Sequence, residues 1–138
     1  MTTNQTIAER TNTTIPEHLE AQATPPIATK GWRQGDVYAM RRDDLNTPKA
    51  GGIPLAGQGH KVVSGDADRN SHILNGDGLF YRCSPVDQLL DYGLLVVPDN
   101  GVCYLTHTDE HGSVGFGPGV WRLFGQVEYG EELRRAAD

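Results

Sequence analysis

The chain of 138 residues has few cysteines, no long apolar run and no basic leader at its N-terminus. Its two cysteines, Cys83 and Cys103, are too few for a disulfide scaffold, and no CxxC pair is present for a zinc site. No apolar run approaches the roughly 20 residues that a membrane-spanning helix needs. The N-terminus lacks the basic start and apolar stretch of a signal peptide. We therefore expect a cytoplasmic protein with reduced thiols.

Positive charge is also scarce in this sequence. Lysine and arginine together number 12 against 18 aspartates and glutamates, which gives a formal net charge of −6. An acidic surface repels phosphate backbones, and the basic residues form no cluster that would hold an anionic membrane. We expect neither a nucleic-acid partner nor a membrane partner.

Glycine and proline are abundant, with 17 and 8 residues, and both interrupt helices and mark turns. Between these turn residues lie short apolar or alternating runs: "HKVVSGD", "SHILNGDGLFYR", "YGLLVVPDNGVCYLTH" and "GVWRLFGQVEY". The turns at Asn75–Gly78 and Pro98–Gly101 each lie between two such runs, which predicts a hairpin at each place. We predict a mainly β fold, a small antiparallel sandwich or a cupin-like barrel, formed by residues 31–138 as one domain.

Alternation along the predicted strands also predicts the core, because side chains two positions apart share one face of a strand. The residues expected to be mostly buried are Leu94, Val96, Val102, Tyr104, Leu123 and Val127. The final stretch "YGEELRRAAD" has glutamates early and arginines late, as the helix dipole prefers, and predicts a short C-terminal helix.

Residues 1–30 are rich in Thr, Asn and Pro and offer little apolar surface to offset the entropy of ordering. We predict a flexible N-terminal arm, with one short helix possible at "IPEHLEAQA" where proline stands in the first turn. An arm of this composition is expected to order only against a partner protein or a neighbouring copy of the chain.

Histidines mark the ends of several predicted strands. His107 ends one strand and His111 begins the next, across a tight loop that carries Asp109 and Glu110. His72 begins another strand directly after a polar loop. If these loops share one end of the fold, three imidazoles and a carboxylate converge there, a donor set that suits Zn, Fe or Mn. The alternative, polar loops without a metal, stays open.

The stretches "VVSGDADRNSHILNGDGLFYR" and "CYLTHTDEHGSVGFGPGVWRLFGQVEY" resemble a group of short, uncharacterised bacterial and phage proteins. Their pattern runs G-E-x-T-G-H-x-H, then L-x-H-x-E-H-x-P-I-x-L-P-P-G-x-Y, then Q-x-E-Y, and the resemblance covers about residues 36–138. It implies a cupin-like β-barrel with histidines near one mouth. The metal ligands that it implies are His72, His107, Glu110 and His111. This chain has Asn70 where the group has a histidine, and an amide oxygen binds transition metals more weakly than imidazole.

Two functions remain after these observations. The first is a non-catalytic structural or interaction module, whose N-terminal arm binds a protein partner or a second copy within a larger bacterial or phage assembly. The alternative is a cupin-like metalloprotein that binds a divalent transition metal through His72, His107 and His111. No serine stands in a G-x-S-x-G motif, and we expect no enzymatic activity. Because Asn70 removes a ligand, we favour the interaction module, in the cytoplasm or within a phage particle.

Overall fold

A computed structural model describes residues 2–11, 24–35, 37–57, 59–63, 72–82, 91–107, 112–125, 127–128 and 134–135. Within these residues the chain is mainly β, as the turn-rich sequence predicted, and it has one short helix, at a place where none was predicted. The elements in chain order are α1 (Asn4–Thr11), β1 (Ile27–Ala28), β2 (Gly31–Gln34), β3 (Val37–Arg41), β4 (Ile53–Pro54), β5 (His60–Val63), β6 (His72–Gly76), β7 (Leu79–Arg82), β8 (Asp91–Val97), β9 (Cys103–His107), β10 (Gly112–Phe116), β11 (Gly119–Gly125), β12 (Val127–Glu128) and β13 (Arg134–Arg135).

The strands form two main sheets around one core. Sheet I has the order β1-β10-β9-β6-β5, and sheet II has the order β2-β3-β11-β8-β7-β4. Neighbouring strands are antiparallel except for β1, which pairs with β10 in parallel. Among the described residues no ladder joins an edge of sheet I to an edge of sheet II, so the sandwich does not close into a barrel.

The two predicted hairpins are turns of another kind. The turn at Asn75–Gly78 connects β6 in sheet I to β7 in sheet II, and the turn at Pro98–Gly101 connects β8 in sheet II to β9 in sheet I. Both are therefore corners between sheets, because the strands on either side of each turn pair with other neighbours. Hairpins within one sheet instead join β2 to β3, β5 to β6, β7 to β8 and β9 to β10.

The prediction of buried residues is correct at some positions, and at others it chose the wrong face of the strand. Tyr104 and Leu123 are buried as predicted. On β8, however, the buried side chains are Tyr92, Leu95 and Val97, while Leu94 and Val96, which face away from Leu95 and Val97, are only half-buried. Similarly, Cys103 is buried and Val102 is only half-buried, and the side chain of Val127 lies outside the described residues. The prediction failed because β8 is apolar on both faces, so alternation does not select the inner one.

Within the predicted N-terminal arm, residues 4–11 are helical. This stretch forms α1, which packs against β6 and β10 on the outer side of sheet I. Ile7, Ala8 and Thr11 are buried because their spacing places them on one helical face. A single apolar stripe on one turn is a weak signal in a polar sequence, which is why composition alone predicted flexibility. The helix predicted at "IPEHLEAQA" lies outside the described residues.

The chain end also differs from its prediction. Arg134–Arg135 form β13, which pairs with β12 in an antiparallel ladder, where the charge pattern predicted a helix. Backbone pairing with a neighbouring strand thus prevails over the dipole preference at these two residues; the other residues of that helix prediction lie outside the described ones. No helix among the described residues has the length and hydropathy to cross a membrane.

Candidate functional site

Two histidines meet inside the sandwich. His72 and His107 lie directly opposite each other in the β6–β9 ladder, and their rings stack with centroids 4.1 Å apart and planes 26° apart. Leu74 and Leu105, two positions along each strand, belong to the core. Because residues two apart on a strand share a face, both imidazoles project toward the core, and their exposed fractions are 0% and 1%.

A glutamine from the other sheet fixes the first of these histidines. Gln34, at the end of β2, donates from Nε2 to the carbonyl oxygens of Leu105 at 2.9 Å and Gly112 at 3.0 Å. These two bonds use the amide nitrogen, so the amide oxygen is the atom that faces His72, 3.0 Å from Nδ1. That oxygen only accepts, so Nδ1 carries a proton. In neutral His72 the lone pair is then on Nε2.

The sequence gives little indication of Gln34. It precedes a glycine turn and stands beside a charged residue, a context that is typical of solvent-exposed polar residues. In the structure its exposed fraction is only 4%. Its contacts are 38 to 78 residues distant along the chain, so no local spacing predicts them. Gln34 and Trp32 are two positions apart on β2, so strand alternation places them on the same face. Alternation does not say whether that face points into the core.

The structure brings together two of the predicted ligands, His72 and His107. The other two, Glu110 and His111, lie outside the described residues, as do Asp109 and Asn70. In the part of the chain that is described, no group of three or more His, Cys, Asp or Glu side chains is arranged to hold a metal ion. The described site is therefore a pair of imidazoles, with segment 108–111 joining the strand that ends at His107 to the strand that follows.

His60 lies apart from this pair, on edge strand β5. Its Nε2 lies 2.8 Å from Nη2 of Arg82, and its ring centroid lies 5.7 Å from that of Phe80. A guanidinium only donates, so Nε2 of His60 accepts and the ring is neutral. Partial burial, and secondly the charge of Arg82, lower the pKa of His60 below its ordinary value. His60 is thus a structural histidine and serves as a control for the buried pair.

Cys103 is not a nucleophile in this fold. Its side chain is fully buried in the core at the start of β9. Burial, and secondly the negative charge of Asp77, raise the pKa of the thiol to about 12. The thiolate is the reactive form of cysteine, and it is essentially absent at neutral pH under these conditions. Of these two buried side chains of β9, His107 and not Cys103 is therefore the candidate ligand or reactive group.

The profile of one protein family, described as a domain of unknown function (DUF8820), matches residues 33–126. The chain belongs to the DUF8820 family. The DUF8820 region contains Gln34, His72 and His107, and it leaves out α1 and β1. Its bounds coincide closely with β2 through β11, the strands that form most of both sheets. No curated protein and no solved structure matches the chain.

Proposed function

We propose that this protein is a non-catalytic, cupin-like module that binds a divalent transition metal, with His72 and His107 as two of the ligands. The observation that carries the proposal is the hydrogen bond from Nδ1 of His72 to the oxygen of Gln34. Histidines that bind metals typically donate their second ring nitrogen to a fixed acceptor in this way, which orients the ring and its tautomer. Nε2 of His72 is then the nitrogen that would bind the ion.

The chemistry of the donors fits such an ion. Imidazole nitrogen suits Zn and Fe, and a carboxylate would extend the fit to Mn. In this proposal, Glu110 and His111 supply further ligands from the segment between β9 and β10. The metal, when bound, would hold this segment of the chain to the two strands that carry His72 and His107.

Purely structural packing is a poorer explanation of the pair. Two leucines would fill a core position on adjacent strands without polar atoms to satisfy, whereas buried imidazoles are costly unless their nitrogens are bonded. The fold also places the amide of Gln34, a second buried polar group, against them. A core that only needed volume would not require this set of polar side chains.

The test is a zinc titration of chelator-treated protein, purified without an affinity tag, by isothermal calorimetry. We expect one ion per chain in the wild type. His72→Ala and His107→Ala should each weaken zinc binding by at least about 100-fold, the upper end of the loss seen when only an outer partner is removed. His60→Ala is the matched control and should bind as the wild type does. Equal zinc affinity in all four proteins, each checked by circular dichroism for folding, would refute the proposal.

A second candidate is the interaction module, with a protein partner or a second copy bound through the N-terminal arm in a larger bacterial or phage assembly. Two observations favour it. Ile27 on edge strand β1 is 46% exposed, and Trp32 on edge strand β2 is 43% exposed. Edge strands carry backbone groups that can pair with another chain, and apolar side chains beside them add to the contact.

Light scattering coupled to size exclusion tests this second candidate. If a second copy binds at these edges, the wild type should be larger than a monomer and the variant Ile27→Asp/Trp32→Ser should be monomeric. If a different protein binds there, the wild type is monomeric and co-purifies from its native source with a partner that the variant loses. A monomeric wild type that co-purifies with the same proteins as the variant would exclude the arm and its neighbouring edges as the interface.

A further inference from the structure

The two turns that connect β6 to β7 and β8 to β9 each contain the pair Asn-Gly. Asn75 and Gly76 are the last residues of β6, and Asn100 precedes Gly101 just before β9. An asparagine that is followed by glycine is prone to attack on its side-chain amide by the next backbone nitrogen, because glycine has no side chain to obstruct the approach. The two pairs are alike in sequence, but the structure places them in opposite environments.

The surroundings of Asn75 hold it in place. Its exposed fraction is 1%, and its side-chain nitrogen donates to the carbonyl oxygens of Leu55 at 3.2 Å and Gly57 at 2.6 Å. The backbone N–H of Gly76 donates to the same oxygen of Leu55 at 3.0 Å. An attack on Asn75 therefore requires that three hydrogen bonds to a distant part of the chain break and that a buried side chain becomes accessible.

Asn100 is held much less firmly. It is exposed, in the four-residue turn Pro98–Gly101, and its side chain has no hydrogen-bond partner among the residues that the structure describes. Its φ of 63° lies in the left-handed region, which asparagine adopts more readily than most residues. The backbone N–H of Gly101 donates to the carbonyl oxygen of Pro98 at 3.0 Å, a bond within the turn itself. An attack on Asn100 therefore requires only that one local hydrogen bond opens.

We propose that Asn100 is a site of spontaneous deamidation and that the fold protects Asn75 from the same reaction. The population of the open state decides each rate, because the attacking nitrogen must leave its hydrogen bond before it can reach the side chain. One bond in an exposed turn opens far more often than three bonds around a buried side chain. His107 lies at the other end of β9, so this proposal is independent of the metal proposal.

The reaction has two steps and uses water as its co-reactant. In the first step the backbone nitrogen of Gly101 loses its proton and bonds to Cγ of Asn100, while the side-chain nitrogen takes up a proton and leaves as ammonia. The product is a five-membered succinimide ring. In the second step water adds to one of the two ring carbonyls and opens the ring. One opening gives aspartate, and the other gives isoaspartate, in which the main chain runs through the former side-chain carbon.

Isoaspartate would change the connection between the two sheets, because it lengthens the main chain by one carbon at position 100. The next residue, Gly101, closes the turn on Pro98. The residue after it, Val102, donates its N–H to the carboxylate of Asp77 at 3.1 Å. An added atom displaces both donors from their acceptors. We therefore expect the isoaspartate form to be less stable than a form with aspartate, which leaves the main chain unchanged.

The test is peptide mapping by mass spectrometry of the full chain after incubation at pH 8, where the attacking nitrogen loses its proton more readily. A sample taken before incubation gives the background. Trypsin separates the two sites, because Arg82 lies between them, and fragment ions assign each mass gain to one asparagine. We expect Asn100 to convert at least about tenfold faster than Asn75, because each additional hydrogen bond that must open makes the reactive state rarer.

Two controls separate the effect of the fold from that of the sequence. In urea, the unfolded chain should convert Asn75 and Asn100 at similar rates, because both precede glycine and neither is then protected. The variant Asn100→Gly removes the reacting side chain and is compatible with the φ of 63°. It should end the reaction at position 100 and leave the slow rate at Asn75 unchanged.

The variant Asn100→Asp is the reference for stability, because it carries the charge of the product without the longer main chain. The isoaspartate form, isolated by chromatography and identified with an isoaspartyl methyltransferase, should melt about 3 °C below this variant. Equal conversion of Asn75 and Asn100 in the folded chain would overturn the proposal. So would a tenfold difference between them that persists in urea, because the fold would then not select the site. Identical melting of the two forms would overturn the effect on the connection between the sheets.

Discussion

The two ends of the sandwich differ in how the chain crosses them. At one end, which we call the corner end, the connections from β1, β4, β6, β8 and β10 pass from one sheet to the other. At the opposite end, the hairpin end, the connections join neighbouring strands of one sheet. The corner end ties the sheets together through the chain itself. Among the described strands, none that follow one another at the hairpin end lie in different main sheets. There, Gln34 of sheet II bonds to His72 and to two backbone carbonyls of sheet I.

Hydrogen bonds reinforce the corner end. The backbone N–H of Asp77 donates to the carbonyl of Val102 at 3.0 Å, and the carboxylate of Asp77 accepts from the N–H of Val102 at 3.1 Å. The side-chain amide of Asn75 donates to the carbonyls of Leu55 at 3.2 Å and Gly57 at 2.6 Å. The polar groups at the corner end thus hold turns in place, whereas those at the hairpin end lie inside the core. Under the metal proposal, the hairpin end would carry the ligands, while the hydrogen bonds at the corner end fix the turns.

The largest loss of stability is expected from a substitution at Gly78, in the turn that connects β6 to β7. This residue has a φ of 129°, and a Cβ there would lie 2.4 Å from the carbonyl oxygen of Val96. Gly78→Ala should therefore lower the free energy of unfolding by about 3 kcal/mol in urea titrations. Gly57→Ala is the control, because its φ is 81° but no atom lies within 4 Å of the added Cβ. If both variants lose the same amount, backbone strain and not the corner contact accounts for the loss.

The next effect concerns the hairpin end. Gln34→Leu leaves the carbonyls of Leu105 and Gly112 without their side-chain donor, and should lower the free energy of unfolding by about 2 kcal/mol. Under the metal proposal it should also weaken zinc binding by about 10- to 100-fold, because His72 loses the acceptor that orients it. Gln5→Leu on the exposed side of α1 is the control for the stability measurement. Unchanged zinc affinity with lowered stability would leave Gln34 a structural role alone.

A smaller effect is expected from Asp77→Ala at the corner end. The variant removes the acceptor of the Val102 N–H, and this bond is solvent-exposed, so the loss should be about 1 kcal/mol in the same urea titrations. Asp99→Ala changes an exposed carboxylate of the adjacent turn and should change stability less. Zinc affinity should be unaffected by either variant, since both lie at the end opposite the histidines. A loss of zinc binding in Asp77→Ala would show that the two ends are coupled.

The smallest effect is a pH dependence at the contact between β5 of sheet I and β7 of sheet II, where Arg82 contacts His60. The pKa of His60 in the folded chain is lowered from its ordinary value of 6.5. Between these two pKa values, the unfolded chain therefore binds more protons at His60 than the folded chain does. The stabilising contribution is thus complete above about pH 6.5 and declines as the pH falls toward the lower, folded-state pKa. Thermal melts between pH 8 and pH 5 should show a smaller decline for His60→Gln than for the wild type. Identical declines would exclude His60 as a source.

Local sequence signals predicted the strands and turns but not their partners. The turn at Asn75–Gly78 has the residues of a hairpin, yet whether its flanking strands pair is decided by neighbours such as β9 that are distant in sequence. Likewise β8 is apolar on both faces, so its inner face follows from the core and not from alternation. The placement of His72 and His107 at strand ends was predictable from the turns around them. Their direct pairing depends on register, and the contact with Gln34 depends on how two sheets meet.

The bond between Gln34 and His72 crosses from one sheet to the other, and this has a thermodynamic consequence. The acceptor that sets the tautomer of His72 is in place only while both sheets are assembled. A ligand that uses Nε2 of His72 would bind the assembled sandwich in preference to a partly opened chain. By linkage, such a ligand at 100 times its dissociation constant would raise the free energy of unfolding by about 2.7 kcal/mol. The supply of that ligand in the cell would then set the fraction of chains that is folded at equilibrium.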